Sequence, residues 1–151
     1  MIKIRRAQTS DTPQLETLFL FTRRSTFHWD SPDKFKLEDF KELTVGETVF
    51  VAEDQGGTIV GFVSVWLQDP IVFIHHLFVA PNEQRKRIGA QLIESLLTWA
   101  PLPYRLKCRC ENIQALAFYQ KCGWVMVEKG LCEDGEYLLL ELPSAGSKCL
   151  V

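Results

Sequence analysis

The segment Gln84-Arg85-Lys86-Arg87-Ile88-Gly89-Ala90 places basic and small residues between a run that reads as a strand and one that reads as a helix, and its chemistry is anion binding. Upstream, Val72, Phe73, Ile74, His75, His76, Leu77, Phe78 and Val79 are mostly β-branched, aliphatic or aromatic, and Pro81 ends the strand because it cannot donate to a ladder. Downstream, Ile88, Leu92, Ile93, Leu96 and Leu97 recur at helical spacing. A helix opening inside the turn leaves its first amides unpaired and carries the positive end of the macrodipole. A phosphate or pyrophosphate placed there is held by backbone donors. The guanidinium forks of Arg85 and Arg87 and the ammonium of Lys86 suit phosphate oxygens, and Gly89 permits close approach of a ligand.

Gln84-x-x-Arg87-x-Gly89-Ala90, following Leu77-Phe78-Val79-x-Pro81, resembles the acyl-CoA-binding motif Q/R-x-x-G-x-G/A of the GCN5-related N-acetyltransferase (GNAT) family. Asn112-x-x-Ala115-x-x-Phe118-Tyr119-x-x-x-Gly123-Trp124 resembles that family's second motif, N-x-x-A-x-x-F-Y-x-x-x-G-F, with Trp in place of Phe. Gly-rich turns after strands serve many nucleotide sites, but the two motifs in this order, one strand apart, are specific, and they cover roughly residues 72 to 128. One departure stands out. Arg87 occupies the position of the turn's first glycine, so an ordinary helical or near-helical backbone is expected there, not a positive φ.

The resemblance implies an acetyl-CoA-dependent N-acetyltransferase that moves an acetyl group directly onto a primary amine of a small molecule or protein. In such a protein the backbone of Leu77, Phe78 and Val79 would run beside the pantetheine arm, with an amide near Phe78 facing the thioester oxygen. The amides from Arg85 to Ala90 would hold the pyrophosphate, and Phe118 would lie with Tyr119 by the cofactor. Tyr119 is implied as the general acid that protonates the leaving thiolate. Asn112 either contacts the cofactor or caps its helix. For the general base the resemblance favours His75, which strict alternation places on one strand face with Phe73, Leu77 and Val79. His76, expected on the opposite face with Ile74 and Phe78, is the reserve, followed by Glu111 and Glu133. The acceptor pocket would be lined by Phe27, His28, Trp29 and Tyr137, with acids such as Glu38, Asp39, Glu133 and Asp134. The rival reading is a non-catalytic acyl-CoA-binding sensor or regulatory module; an unrelated nucleotide-binding α/β protein would carry a P-loop lysine pattern that this turn lacks.

The elements that must position these residues fit one domain. At 151 residues and 46% hydrophobic the chain buries a single good core, expected over 1–142, with a tail at 143–151. A net charge of −2 and pI near 5.9 argue against nucleic-acid binding. With no long apolar span and a strand-like start at Met1-Ile2-Lys3-Ile4-Arg5, a soluble cytoplasmic protein is expected, and a homodimer is compatible with folds of this type. Cys108, Cys110, Cys122, Cys132 and Cys149 are odd in number and lack metal-ligand spacing, so free thiols and no metal are expected.

A strand at the start precedes a helix from about Pro13 to Arg24, capped near Ser10-Asp11 and burying Leu15, Leu18, Phe19 and Phe21. An aromatic loop and a short helix near Leu37 to Leu43 follow. Thr48 to Glu53 and Ile59 to Trp66 form a hairpin about Asp54-Gln55-Gly56-Gly57. Tyr104 to Cys110 is a fifth strand, Asn112 to Lys121 a helix ended by Gly123, and Trp124 to Lys129 with Glu136 to Leu142 a closing hairpin. The order βααβββαβαββ is an α+β or mixed α/β domain. It matches the GNAT-like fold, a twisted, mostly antiparallel sheet of about seven strands flanked by about four helices.

Overall fold

The computed structural model describes residues 1–144; Cys149 and most of the expected tail lie outside the described residues. Strand β1 (Lys3–Arg6) is followed by helices α1 (Thr12–Thr26) and α2 (Asp39–Leu43) and by strands β2 (Thr48–Glu53), β3 (Ile59–Gln68) and β4 (Ile71–Val79). Helix α3 (Ile88–Leu96), β5 (Tyr104–Arg109), α4 (Ile113–Lys121), β6 (Val125–Cys132) and β7 (Gly135–Leu142) complete the chain in the order that the sequence implies. The seven strands form one sheet in the order β1-β2-β3-β4-β5-β7-β6. Every neighbouring pair is antiparallel except β4 with β5.

Each face of the sheet carries a core. Ile88, Leu92, Ile93 and Leu96 of α3 and Tyr119 of α4 pack with Val63, Val65, Val72 and Ile74 on one face, while Leu15, Phe19 and Phe40 cover Val51, Ile59 and Phe62 on the other. Two helix expectations are corrected here. Leu97 lies beyond the end of α3 and is 50% exposed. In α1 the buried positions are Leu15, Phe19, Leu20, Thr22 and Arg23, a helical stripe that turns Phe21 outward to 57% exposure. Arg23 is buried because its guanidinium lies 3.9 Å from the Phe19 ring centroid and donates to Asp39 Oδ2 at 2.7 Å, which ties α1 to α2.

Two irregularities in β4 shape the site. Its pairing with β5 is limited to Val72 with Tyr104 and Phe73 with Arg105, whereas β5 runs its full length against β7. The rest of β4 therefore has an unpaired edge towards β5, where backbone groups can serve a ligand. A β-bulge also slips the register against β3. Ser64 faces His76 and Val65 faces Ile74, leaving His75 without a partner. The extra residue reverses the alternation. Val72 and Ile74 before it and Leu77 and Val79 after it pack on the α3 face, whereas Phe78 packs on the α1 face. The expected grouping of His75 with Leu77 and Val79, and of Ile74 with His76 and Phe78, is therefore wrong.

Arg5 fastens the sheet's edge to the start of α1. It donates to Asp11 Oδ2 at 2.8 Å and Oδ1 at 3.0 Å and to Glu53 Oε1 at 3.0 Å, and Asp11 also accepts from the Gln8 amide at 2.7 Å. The Arg5 hydrogen bond holds the Asp11 carboxyl below its ordinary 3.8. A depressed carboxyl contributes stability that is complete above its unfolded value and fades as pH falls through the folded one. Asp11→Asn is expected to lower unfolding free energy by roughly 2 kcal/mol at pH 7. In urea titrations, the gap to wild type should narrow below about pH 4.

Candidate active site

The turn between β4 and α3 presents backbone donors. Gln84 donates through Nε2 to the Val79 carbonyl at 3.1 Å, anchoring the turn to the end of β4. Arg85 and Arg87 have φ of 68° and 65°, contrary to the helical backbone expected for Arg87. They are the positive-φ non-glycine residues of the described chain, so Lys86 between them has the opposite sign. Such alternation gathers successive amides into a concave anion-binding nest, and it continues into the first turn of α3. The local geometry overrides the residue preference that forbade it. The side chains contribute less. Lys86 Nζ lies 3.1 Å from Glu83 and the Arg87 guanidinium 3.6 Å from Glu94, and Arg85, Lys86 and Arg87 are all exposed.

Gly89 also serves packing. A Cβ there would stand 3.2 Å from the Phe118 ring, so the glycine lets α4 close onto the start of α3. Asn112 caps α4, its Oδ1 accepting from the Ala115 amide at 3.3 Å. Tyr119 is buried against Phe118 and Trp124, with centroids 5.2 and 5.5 Å away. Burial, then the neighbouring Cys108 and Cys122, push its phenol above the ordinary 10.0, so it stays a neutral proton donor. Burial also raises the Cys108 thiol to about 12 and holds the Cys122 thiol above its ordinary value, which disfavours a thiolate at either; Cys108, Cys110, Cys122 and Cys132 are free.

On the opposite face the bulge brings His75 and His76 together, with ring centroids 4.0 Å apart and planes 30° from parallel. His75 Nδ1 is hydrogen-bonded to Glu47 Oε2; the histidine side chain is 47% exposed and the glutamate 7%. A carboxylate only accepts, so Nδ1 carries the proton in this pair, and in the neutral imidazole Nε2 holds the lone pair. His76 packs 4.9 Å from Phe19, and burial, followed by the charges of His75 and Arg23, lowers its pKa to about 3. It is neutral over the working range. Glu47 was missed in the sequence because it lies 28 residues from His75 in a turn, outside either motif.

Phe27 and Trp29 pack on this side of the gap, Phe27 lying 5.3 Å from Trp29 and 6.0 Å from Phe78. His28 is exposed beside Trp29 at 5.0 Å, and the Arg109 guanidinium lies 5.9 Å from the Trp29 ring. Lys34 Nζ reaches Asp134 at 2.8 Å, joining this loop to the closing hairpin. Two of the acids expected to line an acceptor pocket are therefore committed, Asp134 to Lys34 and Asp39 to Arg23, and the reserve base Glu111 is bound to Arg109 at 2.6 Å.

A sequence profile of the Acetyltransferase (GNAT) family matches residues 13–124. The chain belongs to the GNAT family. It is an acetyl-CoA-dependent acyltransferase, and its seven-stranded sheet with four helices is the family's fold. The PaiA N-acetyltransferase of Thermoplasma acidophilum, solved with coenzyme A, superposes at a TM-score of 0.79 with 16% identity over 95% of this chain and 99% of its own. The ribosomal-protein-S18-alanine N-acetyltransferase of Escherichia coli gives 0.72 with 19% identity, covering 100% of this chain and 99% of its own. Arabidopsis thaliana NAA60, solved with a bisubstrate analogue, gives 0.71 with 17% identity over 97% and 100%. No curated protein matches the acetyltransferase by sequence. Among the described residues, no helix is long and apolar enough to cross a membrane.

The left-handed backbone at Arg87 carries a cost of about 1 kcal/mol that glycine avoids. Arg87→Gly is expected to stabilise the acetyltransferase by roughly 0.5–1 kcal/mol in chemical denaturation, less than the full strain because glycine gains freedom when unfolded. A destabilised Arg87→Gly would show that the side chain, not the turn, holds this conformation.

Proposed function

We propose that residues 1–142 form a single cytoplasmic acetyltransferase domain acting on a primary amine of a small molecule or protein, with His75 as general base and Tyr119 as general acid. The reading is carried by the position of the two groups on opposite faces of the sheet, beside the stretch where β4 has parted from β5. Acetyl-CoA supplies the activated acetyl group, its pantetheine arm running along the open edge of Leu77, Phe78 and Val79 and its pyrophosphate on the amides from Arg85 to Ala90. A β4 amide near Phe78 donates to the thioester oxygen as charge develops there. His75 Nε2 takes the proton of the ammonium, directly or through water, while Glu47 fixes the imidazole tautomer and orientation. As the amine nitrogen bonds to the acetyl carbon and the carbon–sulfur bond breaks, Tyr119 gives its proton to the sulfur, and the second proton that the nitrogen loses leaves to solvent, from which the phenol is restored. His76 stays neutral and packs behind His75. Phe27, His28 and Trp29 edge the acceptor side, where aromatic faces suit a cationic amine.

The test is thiol release from acetyl-CoA across a panel of small amines and peptide N-termini. Tyr119→Phe and His75→Ala are each expected to lower the amine-dependent rate by roughly 10²-fold while leaving acetyl-CoA binding within a few-fold of wild type. Full turnover in both variants would overturn these assignments.

A further inference from the structure

We propose that Glu47, His75 and His76 form a site for a zinc-class divalent cation, and that the ion switches the acetyltransferase off by occupying its base. Adjacent histidines on a regular strand point to opposite faces and cannot chelate one ion. The bulge removes that obstacle and stacks the two rings on the side that Glu47 reaches. One ligand atom from each of the three residues lies within 4.8 Å of the others.

A second observation points to a ligand. Glu47 Oε1 is buried with no hydrogen-bond partner, His76 Nε2 is buried and makes no regular hydrogen bond although the Leu43 backbone lies near its ring, and Ser64, the residue paired with His76 across the bulge, also has an unpartnered hydroxyl. Buried polar atoms are normally satisfied, so two unpartnered donor atoms within one three-residue ligand set are informative. Two imidazoles and a carboxylate are the ligand types of an open zinc site, with the fourth position left to water or an incoming amine. Tetrahedral bonds near 2.0–2.2 Å place ligand atoms roughly 3.4 Å apart, a closure of up to about 1.4 Å for the widest pair. His75, on the exposed side, can supply that movement. Arg23, whose charge acts on His76, is paired with Asp39, which offsets part of its repulsion towards a bound cation. A cavity of about 250 Å³ lined by Arg6, Gln8, Phe40, Thr44, Glu47 and Thr48 gives a second approach to the glutamate.

Metal binding does not depend on the role assigned to His75; inhibition does. Titration of the full chain with zinc by calorimetry should show one equivalent bound. Glu47→Gln, His75→Gln and His76→Gln should each weaken binding at least about tenfold, and Cys132→Ser, which removes an exposed thiol, should not. Circular dichroism checks that each variant is folded, and the three independent ligand variants keep the test intact if one is not. With cobalt as the probe, d–d bands without a thiolate charge-transfer band are expected. Amine-dependent thiol release should fall with zinc occupancy while acetyl-CoA binding persists. No uptake, uptake indifferent to the Glu47 and His76 variants, or a thiolate–cobalt spectrum would overturn the site. One equivalent bound with no loss of rate would retain the metal site and remove His75 as the base.

Discussion

Strand β4 pairs with only one of its two neighbours along its whole length, and the site depends on where it parts from the other. It pairs with β3 from end to end at the expense of one bulge, and with β5 over only two residue pairs before the strands part. The parting leaves backbone donors free at the middle of the sheet, where an open edge would otherwise be covered. The bulge turns His75 and His76 to one side and returns Leu77 and Val79 to the α3 core. Without the first there is no open edge for the proposed acyl-CoA arm; without the second the histidines separate to opposite faces.

The two cores act as supports for this one strand. On the α3 side, Phe118 occupies the space that Gly89 leaves open, so the helix that begins at the nest is held by the helix that carries Tyr119. On the α1 side, Phe19 touches Phe62, His76 and Phe78 with ring centroids 4.9 to 5.7 Å away, and Arg23 behind it is paired with Asp39. These contacts join the apolar core to the proposed proton-handling groups. A loss of packing at Phe19 would loosen His76 and, through the stacked rings, His75.

The parts legible in the sequence are those fixed by neighbours along the chain. Pro81 ending β4, the apolar spacing of α3, Asn112 at the start of α4 and the glycines of the β2–β3 hairpin each act within a few residues, and each element lies where it was expected. The bulge was not legible, because an extra residue is defined only against the partner strand, and every face assignment beyond it inverted. The backbone at Arg87 contradicted residue preference because the turn as a whole sets the φ of one member. Glu47 went unseen for a related reason: its meaning comes from a contact made across β3 after folding. Two short motifs supplied the family.

The central claim is that the free edge of β4 and the amide nest act together on one ligand. Amide hydrogen exchange followed by NMR, with and without acetyl-CoA, tests it most directly. The account expects slowed exchange at those amides of Leu77 to Val79 not bonded to β3 and, in the same titration, at Arg85 to Ala90. Protection confined to one of the two segments, or absent from both, would contradict it.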